Sequence, residues 1–132
     1  MTVQYFSAVT LAVRDMATAV DFYRAKVGLT LGYGGEQASF TSFRVGQGHL
    51  NLVHAPEGGW GWWGRIIFHV DDVDALYRKL VEAGLEPDAE PENAPWGERY
   101  FHISDPDGHE LSFAKPLQRV GSKAESGDEE LP

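Results

Sequence analysis

Five histidines, an arginine at the head of an apolar run and four tryptophans carry most of the chemistry open to this 132-residue chain. Cysteine is absent, which removes disulfides, thiolate metal sites and a thiol nucleophile. No Ser-His-Asp spacing and no GxSxG nucleophile elbow occur, and the glycines form neither a phosphate-binding P-loop nor a GxGxxG fingerprint. Imidazole titrates near neutrality, so His49, His54, His69, His102 and His109 are each open to proton transfer or hydrogen bonding. Asp71, Asp72, Asp74, Asp105 and Asp107 read as helix caps and turn residues rather than as a catalytic pair. The aromatic residues are more telling. Gly58-Gly59-Trp60-Gly61-Trp62-Trp63-Gly64 sets three indoles in a glycine-rich connection where all three cannot join a core, and Trp96 lies in Ala94-Pro95-Trp96-Gly97. Large flat rings on such a backbone suit a planar ligand or a partner subunit.

The elements that must position these residues follow from periodicity. Val9, Leu11 and Val13 alternate with Ala8, Thr10 and Ala12, which predicts a strand over 7–14 with one bulky and one small face. Asp15 then caps a helix over 16–27 carrying Ala19, Val20, Tyr23 and Val27 at helical spacing, closed by Gly28. Three β-like runs follow at 29–33, 39–45 and 49–54. The order recurs: a strand over 65–70, a helix capped by Asp72 with Val73, Leu76, Tyr77, Leu80 and Val81 on one face and ended by Gly84, then strands at 98–104 and 110–114 around the turn Asp105-Pro106-Asp107-Gly108. The acidic, proline-rich stretch 86–95 leaves room for only a short strand. Val13-Arg14-Asp15 over Val70-Asp71-Asp72, and Gly28-Leu29 over Gly84-Leu85, mark an internal duplication. The expected fold is α+β: two βαβββ modules, 1–60 and 61–118, with a disordered acidic tail over 119–132.

Composition sets the outer bounds. Hydrophobic residues are 42% and charged ones 23%, which is ordinary for a folded domain, and area scaling lets a chain of this mass bury about two thirds of its unfolded surface. Twenty acids against eleven bases give a net charge of −9, which disfavours nucleic acid and anionic membranes as partners. No apolar run spans a bilayer, and the N-terminus has neither a basic region nor a small-residue cleavage site, so the expected location is cytoplasmic.

The openings "LAVRDMATAVDFY" and "FHVDDVDALYRKLVEAGL", with "PWGERYFHISDPDGHELSF" closing the second module, resemble the vicinal oxygen chelate superfamily of glyoxalase I, extradiol dioxygenases and bleomycin-resistance proteins. Within it, "APWGERYFHISDPDGHELSF" is most similar to the bleomycin-resistance branch. The resemblance covers roughly residues 6–115 and implies curved mixed sheets around a cleft, a homodimer, and, in metal-dependent members, ligands on the first and last strands of each module. Those positions fall here on Ala8, Arg65, Ser112 and, within one residue of register, Asn51. A methyl, a guanidinium, a hydroxyl and an amide are a poor donor set for a divalent ion, so no metal and no cofactor are expected.

If Ala8, Arg65 and Ser112 line the cleft, alternation adds Thr10, Ala12, Ile67, His69, Glu110, Ala114, His49, Asn51 and Val53. His54 then falls at a rim, His109 is exposed, and the parity of His102 is open. The resemblance implies an aromatic drug-site wall at Trp96. The resulting expectation is metal-independent sequestration, without catalysis, of a planar aromatic antibiotic of bleomycin, mitomycin or enediyne type. Trp62, Trp63 and Trp96 would stack on it, Trp60, Tyr33, Phe40, Tyr100 and Ile67 would add walls, and Arg65, Asn51, His69, His49 and Ser112 would supply polar contacts. One alternative is a metal-independent isomerase, cyclase or lyase with His69 or His49 as base and Arg65 holding an enolate. Another is a glyoxalase-type metalloenzyme with ligands drawn from His54, His102 or Glu110.

Overall fold

A computed structural model describes residues 3–117, so the acidic tail lies outside the described residues. The chain runs β1 (Ala8–Val13), α1 (Met16–Val20) continued by π-helical turns (Asp21–Val27), β2 (Thr30–Tyr33), β3 (Phe40–Val45) and β4 (Gly48–His54). It then repeats the order with β5 (Arg65–His69), α2 (Val73–Glu82), β6 (Glu92–Asn93), β7 (Glu98–Ser104) and β8 (Glu110–Pro116). Two four-stranded mixed sheets result, β1-β4-β3-β2 and β5-β8-β7-β6, each with one parallel pair that the helix crossover makes possible. The class is α+β, as the periodicity predicts.

Both helices begin as their sequences require. The Asp15 carboxylate accepts from the Thr18 amide at 3.2 Å, and Asp72 accepts from the Ala75 amide at 3.0 Å. The first helix departs from the uniform α-helix expected over 16–27. From Asp21 it widens, the Gly28 and Leu29 amides both reaching the Tyr23 carbonyl at 3.1 and 2.8 Å. Widening turns the adjacent Phe22 and Tyr23 inward together, ring against ring at 4.9 Å. Gly28 stops it at φ 95°, a left-handed conformation that costs glycine little.

Each sheet buries one face under its helix. In the first, Leu11, Val13, Phe43, Leu50 and Leu52 meet Met16, Ala19, Val20, Phe22 and Tyr23. In the second, Phe101, Ile103, Leu111 and Phe113 meet Val73 and Leu80, with Tyr77 edge-on to Phe101 at 5.5 Å and Phe68 stacked on Phe113 at 5.4 Å. Val81, expected on the apolar stripe of α2, is 44% exposed, because this helix is covered along a narrower strip than its sequence offers.

Two compact units divide the chain. Among the described residues, one holds 3–63 together with Asp105–His109, and the other holds Gly64–Ser104 and 110–117. Inside the first unit, the fully buried Thr41 hydroxyl fixes the β2–β3 connection by accepting from the Gly35 amide and donating to the Gly35 carbonyl, both at 3.1 Å. Thr41→Val keeps the shape and removes both bonds. It should lower unfolding free energy by about 1–2 kcal/mol in urea titrations, and an unchanged midpoint would show that these bonds are idle.

Candidate functional site

In the second unit, strand pairing decides which side chains share the sheet face turned away from α2. Arg65 lies opposite Glu110, Ile67 opposite Ser112 and His69 opposite Ala114; across β8, Tyr100 pairs with Ala114 and His102 with Ser112. This face therefore gathers Arg65, Ile67, His69, Tyr100, His102 and Ser112, and Glu92, opposite Tyr100, joins them from β6. His102, whose parity the sequence left open, is placed here by the register. The signal was present: a four-residue Asp105-Pro106-Asp107-Gly108 turn sets the β7–β8 pairing and, with it, the side of every residue on β7.

The polar groups of this face are mostly paired. Arg65 donates from Nε and Nη2 to Glu110 Oε2 at 3.0 and 2.7 Å. Trp96 Nε1 donates to Glu98 Oε1 at 3.0 Å, His69 Nε2 lies 3.4 Å from the other oxygen of Glu98, and the Tyr100 hydroxyl donates to Glu92 at 2.9 Å. Three rings form a ladder: Trp96 stacks on Tyr100 at 5.9 Å and 28°, and Tyr100 meets His102 at 5.0 Å and 51°. Glu92 and Glu98, unforeseen in the sequence, hold the polar ends of the two larger rings and leave their faces apolar. The bond to Glu92 raises the Tyr100 hydroxyl above its usual range. Burial, then the Arg65 charge, depresses the His102 imidazolium below its usual range, so the neutral ring is favoured.

The first unit places the other predicted residues. Ala8 faces His49, Thr10 faces Asn51 and Ala12 faces Val53 on the sheet side away from α1, and Asn51 Nδ2 donates to the Thr10 hydroxyl at 3.3 Å. Phe40 and Tyr33, exposed, lie 6.3 Å apart at the far side of that sheet. His54 is exposed, 3.1 Å from the Arg14 carbonyl. His109 is a correction. Expected at the surface, it is 7% exposed, because the turn that carries it is folded into the first unit. Its Nε2 meets the Ala12 carbonyl at 2.8 Å; a carbonyl can only accept, so Nε2 bears the proton and Nδ1 accepts from the Trp63 indole at 2.8 Å. Trp60 lies over Gly108, where a Cβ would come within 3.0 Å of its Nε1, and φ is 93°. The hollow beside it, lined by Ala12, Arg14, Trp60, Asp107 and His109, measures about 40 Å³, the scale of a water rather than of a drug. Trp60 and Trp63 are thus partly committed to the turn, whereas Trp62 is 65% exposed.

The positions at which the fold would present metal ligands do not fit one. Ala8 has no donor atom, Asn51 is bonded to Thr10, and Arg65 is a permanent cation paired with Glu110. Among the described residues, no group of three or more His, Asp or Glu side chains is gathered around a point.

Two βαβββ units with parallel outer pairs define the vicinal oxygen chelate fold. The chain belongs to the Glyoxalase/Bleomycin resistance protein/Dioxygenase superfamily, which it matches over residues 5–113. Among solved structures it is similar to TnmS3, an antibiotic binding protein from Streptomyces sp. CB03234, at 28% identity and TM-score 0.71, over 88% of this chain and 98% of that one. The uncharacterized protein YraH of Bacillus subtilis is 25% identical over 123 residues, 83% of this chain and 96% of that protein. An uncharacterized Mycobacterium bovis protein is 37% identical over 51 residues, 39% of this chain; the match spans about a third, 34%, of that relative's length. No helix among the described residues is long and apolar enough to cross a membrane.

Proposed function

We propose that the protein binds a planar, aromatic, antibiotic-like small molecule and sequesters it unchanged. The Trp96–Tyr100–His102 ladder carries the reading: a row of flat faces whose polar ends are tied down by Glu98 and Glu92 is preorganised for stacking rather than for proton transfer. Each stacked ring contributes roughly 0.5–1.5 kcal/mol beyond area burial, and about 300 Å² of buried ligand surface adds on the order of 7 kcal/mol before ordering costs. The similarity to an antibiotic binding protein supports the same class of ligand. Ser112, His69 and Ile67 complete the face, and Glu92, Glu98 and Glu110 outnumber Arg65 on it, which favours a neutral or cationic ligand over an anion. Trp62 and the Tyr33–Phe40 pair are further stacking surfaces offered by the first unit, and a second copy of the chain is the proposed partner.

Tryptophan fluorescence titration against bleomycin-, mitomycin- and enediyne-type compounds tests this. Saturable quenching with the compound recovered intact after prolonged incubation is the expected result. Absence of quenching by every compound, in folded protein, would refute sequestration, and turnover of a bound compound would replace it with a metal-independent enzyme.

A further inference from the structure

Two polar atoms on the face of the second unit have no partner. Ser112 is 1% exposed, and neither its Oγ nor the Nδ1 of His102 makes a hydrogen bond, although both are shut off from solvent. The two residues are directly opposed across β7 and β8, which sets their Cβ atoms about 4.5–5.5 Å apart. A buried hydroxyl and a buried ring nitrogen left open side by side are costly to the free protein, and such a cost persists where a ligand removes it.

We propose that His102 Nδ1 and Ser112 Oγ form a two-point socket for one neutral hydroxyl on the aromatic ligand, a phenol or hydroquinone OH next to the ring that stacks on Tyr100. The inference rests on the stacking reading above and adds to it the chemistry of the ligand's edge. A hydroxyl fits because it donates to one atom and accepts from the other: with the proton of the neutral imidazole placed on Nε2, the ligand proton goes to the Nδ1 lone pair, and the ligand oxygen takes the Ser112 hydroxyl proton. A carboxylate fits poorly, since it can only accept, and the one guanidinium nearby is already engaged by Glu110 while Glu92 and Glu98 add negative charge. The partly exposed Arg65, whose charge is felt at both Tyr100 and His102, borders the same face and is held there by Glu110.

Three probes of one shape separate the socket from the stacking surface: naphthalene, 2-methoxynaphthalene and 2-naphthol, each titrated into the full chain and followed by the tryptophan indole NMR signals. The wild type should bind 2-naphthol at least tenfold more tightly than 2-methoxynaphthalene, which can accept but not donate. In Ser112→Ala and His102→Phe the preference should fall below twofold, with the melting temperature of Ser112→Ala unchanged or raised because an unpartnered hydroxyl has gone. Equal binding of the three probes to the wild type, or a preference that survives both substitutions, overturns the socket and leaves stacking intact. Failure of all three to move any indole signal overturns the stacking reading and the socket with it.

Discussion

Replacing Asp105 with Ala should destabilise the protein by roughly 3–5 kcal/mol, the largest effect expected of any single polar substitution here. Its carboxylate is 5% exposed and accepts three hydrogen bonds: Oδ1 from the Asp107 and His109 amides at 2.8 and 2.9 Å, and Oδ2 from the Tyr23 hydroxyl at 2.6 Å. Alanine would strand all three donors, one of them on a tyrosine that is itself fully buried. Asp105→Asn is the informative control. Its amide oxygen can keep both backbone bonds and its NH₂ can donate to the Tyr23 oxygen, so the geometry survives while the buried charge disappears.

The pH dependence has a definite sign. Burial, only partly opposed by the Tyr23 and backbone hydrogen bonds, raises the Asp105 carboxyl above its ordinary 3.8. A group whose pKa is raised on folding contributes stability that is complete below the unfolded value and is lost as pH climbs through the folded one. Asp105→Asn, having no such titration, should therefore gain on the wild type between about pH 3 and neutrality. Asp74 acts in the opposite direction: its hydrogen bonds to Arg99 lower its carboxyl, so its contribution is present above 3.8 and fades as pH falls. Urea unfolding across that range checks both claims, and an Asp105→Ala variant within 1 kcal/mol of the wild type would show that the three bonds carry little.

Trp96→Ala should weaken binding of a planar aromatic ligand about 5- to 150-fold, which corresponds to roughly 1–3 kcal/mol. The indole is the outermost ring of the ladder, stacked on Tyr100 and bonded at its nitrogen to Glu98 two residues along, so its removal takes away a wall without emptying the core. Trp96→Phe, which keeps a flat face and gives up the Glu98 bond, should retain most of the affinity. Calorimetric titration reads both. If Trp96→Ala binds as the wild type does, the stacking surface lies elsewhere, with Trp62 the next candidate.

The parts of the fold that were legible in the sequence are those that short-range chemistry controls. Alternation in Ala8–Val13, the two aspartate caps and Gly28 each name an element through their immediate neighbours, and the same order of elements recurs in the second half. What was not legible depends on distant partners. The π-helical turns go with Phe22 and Tyr23 both entering the core, and the burial of His109 goes with bonds to Ala12 and Trp63, 97 and 46 residues away. At the candidate site the residue types were readable, Trp96 and Ser112 among them. The ring ladder was not, because Trp96 precedes β7 and the ring positions depend on two glutamates, Glu92 and Glu98, that look like ordinary surface acids.

The turn Asp105–His109 belongs by sequence to the second repeat and by packing to the first unit, and this separates ancestry from autonomy. A chain ending at Trp63 would hold every strand and helix of one repeat yet lack the carboxylate that receives the Tyr23 hydroxyl, the carboxylate that receives the Arg14 amide at 2.8 Å and the imidazole that receives Trp63. The fully buried Tyr23 hydroxyl would therefore have no acceptor until residues more than 40 positions downstream had been synthesised. The sequence repeat and the compact unit therefore have different boundaries.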